Sequence, residues 1–84
     1  MAITSQIRRS ALSIPTNIVE GYSRKGDKEL AYFLNISLGS LAETKHLLYF
    51  SQRFGYINSD SYKQHNEQLE LLGKKLWKFY DTVR

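Results

Sequence analysis

Ser13-Ile14-Pro15-Thr16-Asn17-Ile18-Val19-Glu20-Gly21 sets a proline inside what otherwise reads as an amphipathic helix. Ile3, Ile7, Ala11, Ile14 and Ile18 step by three and four residues, and that spacing holds on both sides of Pro15. A proline there removes the amide that would bond the Ala11 carbonyl and crowds the same oxygen, at a cost of about 3 kcal/mol or more in a helix interior. A helix that keeps its apolar register across such a defect needs neighbours that make the cost tolerable. The freed carbonyl also needs a donor, which Ser13 or Asn17 can supply locally.

Outward from this stretch the chain reads as helices throughout. The first runs from about Ile3 to Tyr22 and is followed by the polar connection Ser23-Arg24-Lys25-Gly26. Asp27 is the expected N-cap of a second helix over about 28–54, which stops at Gly55, a typical residue beyond a helix end. Tyr56-Ile57-Asn58 turns the chain, and Asn58 or Ser59 caps a third helix over 59–83. No segment alternates with period two. Connections this short make sequential helices antiparallel neighbours, so the expected fold is all-α, an up-down-up helical bundle forming one domain over 1–84.

The bulk properties narrow the choice. Eighty-four residues lie near the lower end of what one core stabilises unaided. With no cysteine and two histidines, disulfides and Cys/His zinc sites are excluded. Long packed helices or self-association remain as sources of stability. The first residues lack a basic stretch followed by an apolar run, and no run approaches the ~20 residues of a membrane span, so a cytoplasmic protein is expected. The net charge is +4, with the excess mostly in the first 26 residues, a mild bias towards anionic partners.

Projection at about 100° per residue separates the helices by type. The third is one-sided: Tyr62, His65, Leu69, Leu72, Leu76, Phe79, Tyr80 and Val83 share a face. On the first, Leu12 and Val19 point nearly opposite the isoleucine stripe, with a polar band of Gln6, Arg9, Ser13, Asn17, Glu20 and Arg24 between them. On the second, Leu30, Leu34, Leu38, Leu41 and Leu48 form a main stripe, and Tyr32, Phe33, Ile36, Leu47, Phe50 and Phe54 form a second band. Helices apolar on most of their circumference are buried from several sides, and a third helix alone does not cover both. Three helices should therefore leave an apolar patch for a fourth helix or another subunit. A kink at Pro15 that turns Leu12 and Val19 back into one core is the alternative.

At Ser13-Ile14-Pro15-Thr16-Asn17-Ile18-Val19-Glu20-Gly21, with Thr4-Ser5-Gln6-Ile7-Arg8-Arg9-Ser10-Ala11 upstream and Lys28-Glu29, Leu34, Leu38-Gly39-Ser40-Leu41-Ala42-Glu43 and Gly55-Tyr56 downstream, the chain resembles the four-helix-bundle proteins encoded in intervening sequences of bacterial large-subunit ribosomal RNA genes. That family is often labelled ribosomal and is related to the accessory variability determinant of diversity-generating retroelements. The resemblance implies a four-helix bundle without catalysis or cofactor, and self-association, with a ring-like homopentamer among relatives. It also implies nucleic acid as a partner class. Family members usually carry a further helix before the segment that starts here at Ile3, and this chain lacks it. Leu12, Val19, Phe33, Ile36 and Leu47 are the expected vacated surface and oligomer interface; exchange into a dimer is one way to fill it.

Ser13, Pro15, Asn17, Glu20 and Gly21 are read as structural residues of the motif, with Glu20 placed to pair across a helix or subunit contact. Arg8, Arg9, Arg24, Lys25 and Lys28 are the nucleic-acid candidates, since mobile cations meet phosphates; a solvated surface is the competing reading. Arg8 and Arg9 fall at the opposite end of an antiparallel layout from Arg24 and Lys25. Glu43-Thr44-Lys45-His46 has the Glu-x-x-His step of di-iron bundles but lacks a second copy and the inward glutamates. His65 reads as a hydrogen-bonded core histidine. Trp77 and Tyr80 beside Lys74, Lys75 and Lys78 read as core or interface aromatics before base-stacking ones. No catalytic constellation, metal site or small-molecule substrate is expected. The function expected is a self-associating, non-enzymatic interaction scaffold with RNA or DNA as its candidate ligand; the alternative is a purely structural or protein-binding module with no nucleic-acid role.

Overall fold

The computed structural model describes residues 2–84. It holds three helices, α1 (Ile3–Ser23), α2 (Asp27–Arg53) and α3 (Ser59–Val83). Their ends follow from local chemistry. Gly26, at φ 94°, adopts a left-handed backbone that a side chain would strain, and it takes the N-cap position expected for Asp27. The helix therefore starts one residue early, with Asp27 and Glu29 in its first turn facing the positive end of the helix dipole. At the other end Gly55, at φ 79°, lets the Tyr56 amide bond the Ser51 carbonyl (2.8 Å) and its own amide bond that of Gln52 (3.1 Å). This pair is the Schellman closure, which satisfies carbonyls the last turn leaves open. The Asn58 side chain accepts from the Ser61 amide at 2.8 Å and starts α3, as its sequence position implies.

Adjacent helices run antiparallel. Along α1 and α2, Gly21 packs on Leu30 and Phe33, the Ser37 hydroxyl donates to the Ile14 carbonyl at 2.8 Å, Ser13 and Ser40 share a hydroxyl bond at 2.7 Å, and Thr44 donates to Ser10 at 2.8 Å. Between α2 and α3, Gly73 lies against Leu41, Lys45 pairs with Glu70, and the rings of Tyr49 and Tyr62 meet edge to face at 6.3 Å. The Lys45 ammonium, through its hydrogen bond and then its charge, holds the Glu70 carboxyl below the ordinary carboxylate range. No Cα of α1 comes within 8 Å of one in α3 among the described residues, so α2 is the central helix of a slab measuring 44 × 25 × 13 Å. Ile14, Leu34, Leu41 and Leu76 form the buried core, flanked by Ile18, Leu30, Leu38, Leu69 and Phe79.

The proline is supported by a chain of side-chain donors. Thr16 donates to the Leu12 carbonyl at 2.8 Å, Asn17 to that of Ser13 at 2.8 Å, and Ser37 of α2 to that of Ile14. Three consecutive carbonyls of the turn before Pro15 thus receive an extra bond. Asn17, expected to serve the freed Ala11 carbonyl, donates to that of Ser13 instead; the contribution of Ser37 comes from the neighbouring helix and was not legible locally. Ser13 accepts from Asn17 and bonds Ser40 instead of serving the freed carbonyl. Glu20 pairs with Arg24, the C-cap of α1, at 2.6 Å and not across a helix contact.

Candidate functional site

The isoleucine stripe of α1 and the apolar face of α3 are only partly covered by α2. Of the stripe, Ile14 alone is buried, while Ile3, Ile7 and Ile18 are half-buried. On α3 only Leu76 is buried, Leu72 remains 37% exposed, and His65 is exposed instead of lying in the core. The reason is the slab: α1 and α3 flank α2 without close approach of their backbones. Their side chains meet over α2 at one end, where the rings of Tyr22 and Phe79 stand 5.9 Å apart, and at mid-length through Ile14 and Leu76. Towards the other end they diverge and leave a groove of about 390 Å³.

Ile3, Ile7 and Arg8 form one wall of this groove, His65, Gln68 and Leu69 the other, and Leu48 its floor. Tyr56 and Ile57 of the α2–α3 turn stop its end. None of its lining residues is a carboxylate, and none of the ion pairs among the described residues uses Arg8. The start of α1 lies at the same mouth, with no acidic residue in its first turn and no side-chain cap, so its dipole adds positive potential there.

The residues proposed from sequence as vacated surface fall elsewhere. Leu12 and Val19 are 67% and 68% exposed on the outer side of α1, Ile36 lies exposed on α2, and Phe33 and Leu47 are half-buried. None of the five lines the groove. Tyr32, Phe50 and Phe54 of α2 are exposed as well. Helical periodicity identifies the faces of each helix but not how the helices are rotated against one another, which is what decides the open side.

The cations divide similarly. Consecutive residues on a helix point about 100° apart; Arg8 accordingly lines the groove, whereas Arg9 lines a polar cleft with Gln6, Ser10, Ser13, Ser40 and Glu43. Arg24 and Lys28 border a shallow depression with Tyr32 and Phe33, and the Arg24 guanidinium lies over the Phe33 ring at 5.2 Å. Lys25 is exposed in the same turn. The contact of Tyr22 with Phe79 puts this turn at the end where α3 finishes. There Arg84 lies over the rings of Trp77 (5.6 Å) and Tyr80 (5.8 Å), with Lys74 and Lys78 exposed nearby on the helix. Sequence reasoning treated these two basic groups separately; the up-down-up topology joins them. Glu43 and His46 are exposed on α2, and no group of three or more potential metal ligands occurs among the described residues. No helix is long and apolar enough to cross a membrane among the described residues.

A family model described as 23S rRNA-intervening sequence protein matches residues 1–78. Among solved structures the chain is similar to a protein of unknown function from the S23 ribosomal protein family of Bacteroides thetaiotaomicron, with a TM-score of 0.90 and 29% identity. The match covers 95% of this chain and 74% of that one. No curated protein matches.

Proposed function

The chain belongs to the 23S rRNA-intervening sequence protein family, and from that premise we propose that it acts as a non-catalytic helical module that self-associates and serves as an interaction scaffold. The observation that carries this reading is surface. The chain exposes 6047 Å², whereas a monomer of its mass is expected to expose about 5,200 Å². The excess of roughly 850 Å² is close to the ~800 Å² that one partner contributes to a standard interface. Much of it is apolar: Leu12, Val19, Tyr32, Phe54 and Trp77 are each at least half exposed. Light scattering across a concentration series should give a mass above 9.8 kDa, falling towards the monomer in a Val19→Asp/Ile36→Asp variant. A strictly monomeric wild-type chain at every concentration refutes self-association.

A second reading, binding of RNA or DNA, is favoured by one feature, the basic and aromatic end formed by Arg24, Lys25, Lys28, Lys74, Lys78 and Arg84 with Trp77 and Tyr80. Cations there would meet phosphates and exposed rings would stack on bases. In fluorescence anisotropy with a structured RNA and a DNA duplex, binding should weaken as salt rises, because phosphate contacts release counterions. Absence of binding at low salt removes this reading and leaves the protein-binding scaffold.

A further inference from the structure

We infer that a second copy of this chain docks on the exposed side of α2, its own α2 laid antiparallel with Gly39 against Gly39. The inference rests on self-association and gives it a surface. Glycine placement carries it. Of the five glycines, Gly26 and Gly55 make turns at positive φ. Gly21 and Gly73 sit inside α1 and α3 where a side chain of α2 stands 3.0 Å from the Cβ they lack. Gly39 does neither. It lies exposed in the middle of the central helix, and nothing among the described residues comes within 4 Å of a Cβ built there. A mid-helix glycine is destabilising relative to alanine, and at the other two helical positions close packing offsets that loss. The helix that uses the space at Gly39 comes from another chain.

The surface around Gly39 fits a helix. At about 100° per residue, Tyr32, Ile36, Glu43, His46 and Phe50 fall on the same side of α2 as Gly39, and all are exposed. Leu34, Leu41 and Leu48 point the other way, so this stripe lies on the reverse of the slab from the groove. Tyr32, 63% exposed, and Phe50, 40% exposed, stand on either side of the notch at Gly39. At about 1.5 Å per residue the stripe from Lys28 to Phe50 runs about 33 Å, long enough to engage a helix over several turns.

Charge selects the occupant and its direction. In a twofold pairing the same patch meets itself, so residues equidistant from Gly39 on opposite sides face each other. Antiparallel, Asn35 meets the partner's Glu43, Tyr32 the partner's His46, Ile36 the partner's Ala42, and Lys28 the ring of the partner's Phe50. Symmetry makes each contact twice, and no like charges are opposed. Lys28 and Glu43 have no ion pair among the described residues to give up. A parallel pairing would set Lys28 on Lys28 and Glu43 on Glu43, which is repulsive. A foreign helix would need the same residue types in reverse order; the second copy carries them.

The test combines solution mass with cross-linking. In light scattering the wild-type chain should reach twice 9.8 kDa. Gly39→Leu should raise the dissociation constant of the pair about tenfold, because the added side chain holds the two helices apart. Circular dichroism should show its helices intact, since position 39 touches nothing in its own chain and leucine is the better helix former. The chain has no cysteine, so single cysteines report direction. Asn35→Cys mixed with Glu43→Cys, both at exposed positions, should form a disulfide on oxidation about tenfold faster than either variant alone, because only the mixed pair brings the two sulfurs within bonding geometry. A Gly39→Leu chain that associates as tightly as the wild type overturns this placement and leaves self-association standing. So does an Asn35→Cys chain that cross-links alone as fast as in the mixture. A wild-type chain that is monomeric at every concentration overturns both.

Discussion

Leu34→Ala should lower the free energy of unfolding by about 3–5 kcal/mol, the range for a buried leucine whose neighbours cannot close the cavity. Leu34 has no exposed surface and lies in the core with Ile14, Leu41 and Leu76, so it joins the side chains of all three helices. Neighbouring Ser37 is also fully buried and tied to the Ile14 carbonyl, which limits how far the backbones can move in to fill the gap. A domain of this size has a total stability of only about 4–13 kcal/mol, so the variant should sit near its unfolding midpoint in low urea. Leu72→Ala is the control: at 37% exposure on α3, it should cost about 1 kcal/mol. Urea titration followed by circular dichroism gives both values. Equal losses at the two positions would mean that the core does not centre on Leu34.

The contrast between those two leucines shows what the sequence carried. The 34–41–48 stripe, the isoleucine stripe and the caps at Gly55 and Asn58 were legible because each depends on spacing within one helix or on one turn. The all-α bundle with antiparallel neighbours followed from connection length. The rotation of each helix about its axis was not legible, and it decides that Ile7 and Leu69 line the groove while Leu12 and Val19 do not. The first pair is half-buried and the second exposed. The hydroxyl seam was hidden for a related reason. Ser10, Ser13, Ser37, Ser40 and Thr44 read as polar positions, but three of them are buried and bonded across α1 and α2. A serine that satisfies a neighbouring backbone cannot be distinguished by type from one that faces water. Of the candidate cations, adjacency in sequence misled for Arg8 and Arg9, while topology joined Arg24 and Lys28 to the end of α3.

Gly21→Val should cost about 1–3 kcal/mol by overpacking, and its mechanism explains why the proline motif ends in glycine. A Cβ at position 21 would lie 3.0 Å from Leu30 Cδ1 and 3.1 Å from Phe33 Cβ. The leucine methyl can swing aside, but the phenylalanine Cβ is fixed to the α2 backbone, so α1 and α2 must separate. That movement would strain the Ser37–Ile14 bond at 2.8 Å, the contact that supports the turn around Pro15. Helix propensity acts in the opposite direction by a few tenths of a kcal/mol, since valine is a better helix former than glycine, and is too small to compensate. Gly39 provides the matched comparison, because nothing in the chain lies within 4 Å of a Cβ built there. Gly39→Ala should therefore stabilise the monomer by about 0.5–1 kcal/mol through reduced backbone entropy in the unfolded state. If Gly21→Val unfolds at the same urea concentration as the wild type, the close approach of α1 to α2 is not what requires glycine. The opposite signs expected at 21 and 39 then separate packing from propensity: a shared sign at both positions would assign the effect to the helix alone.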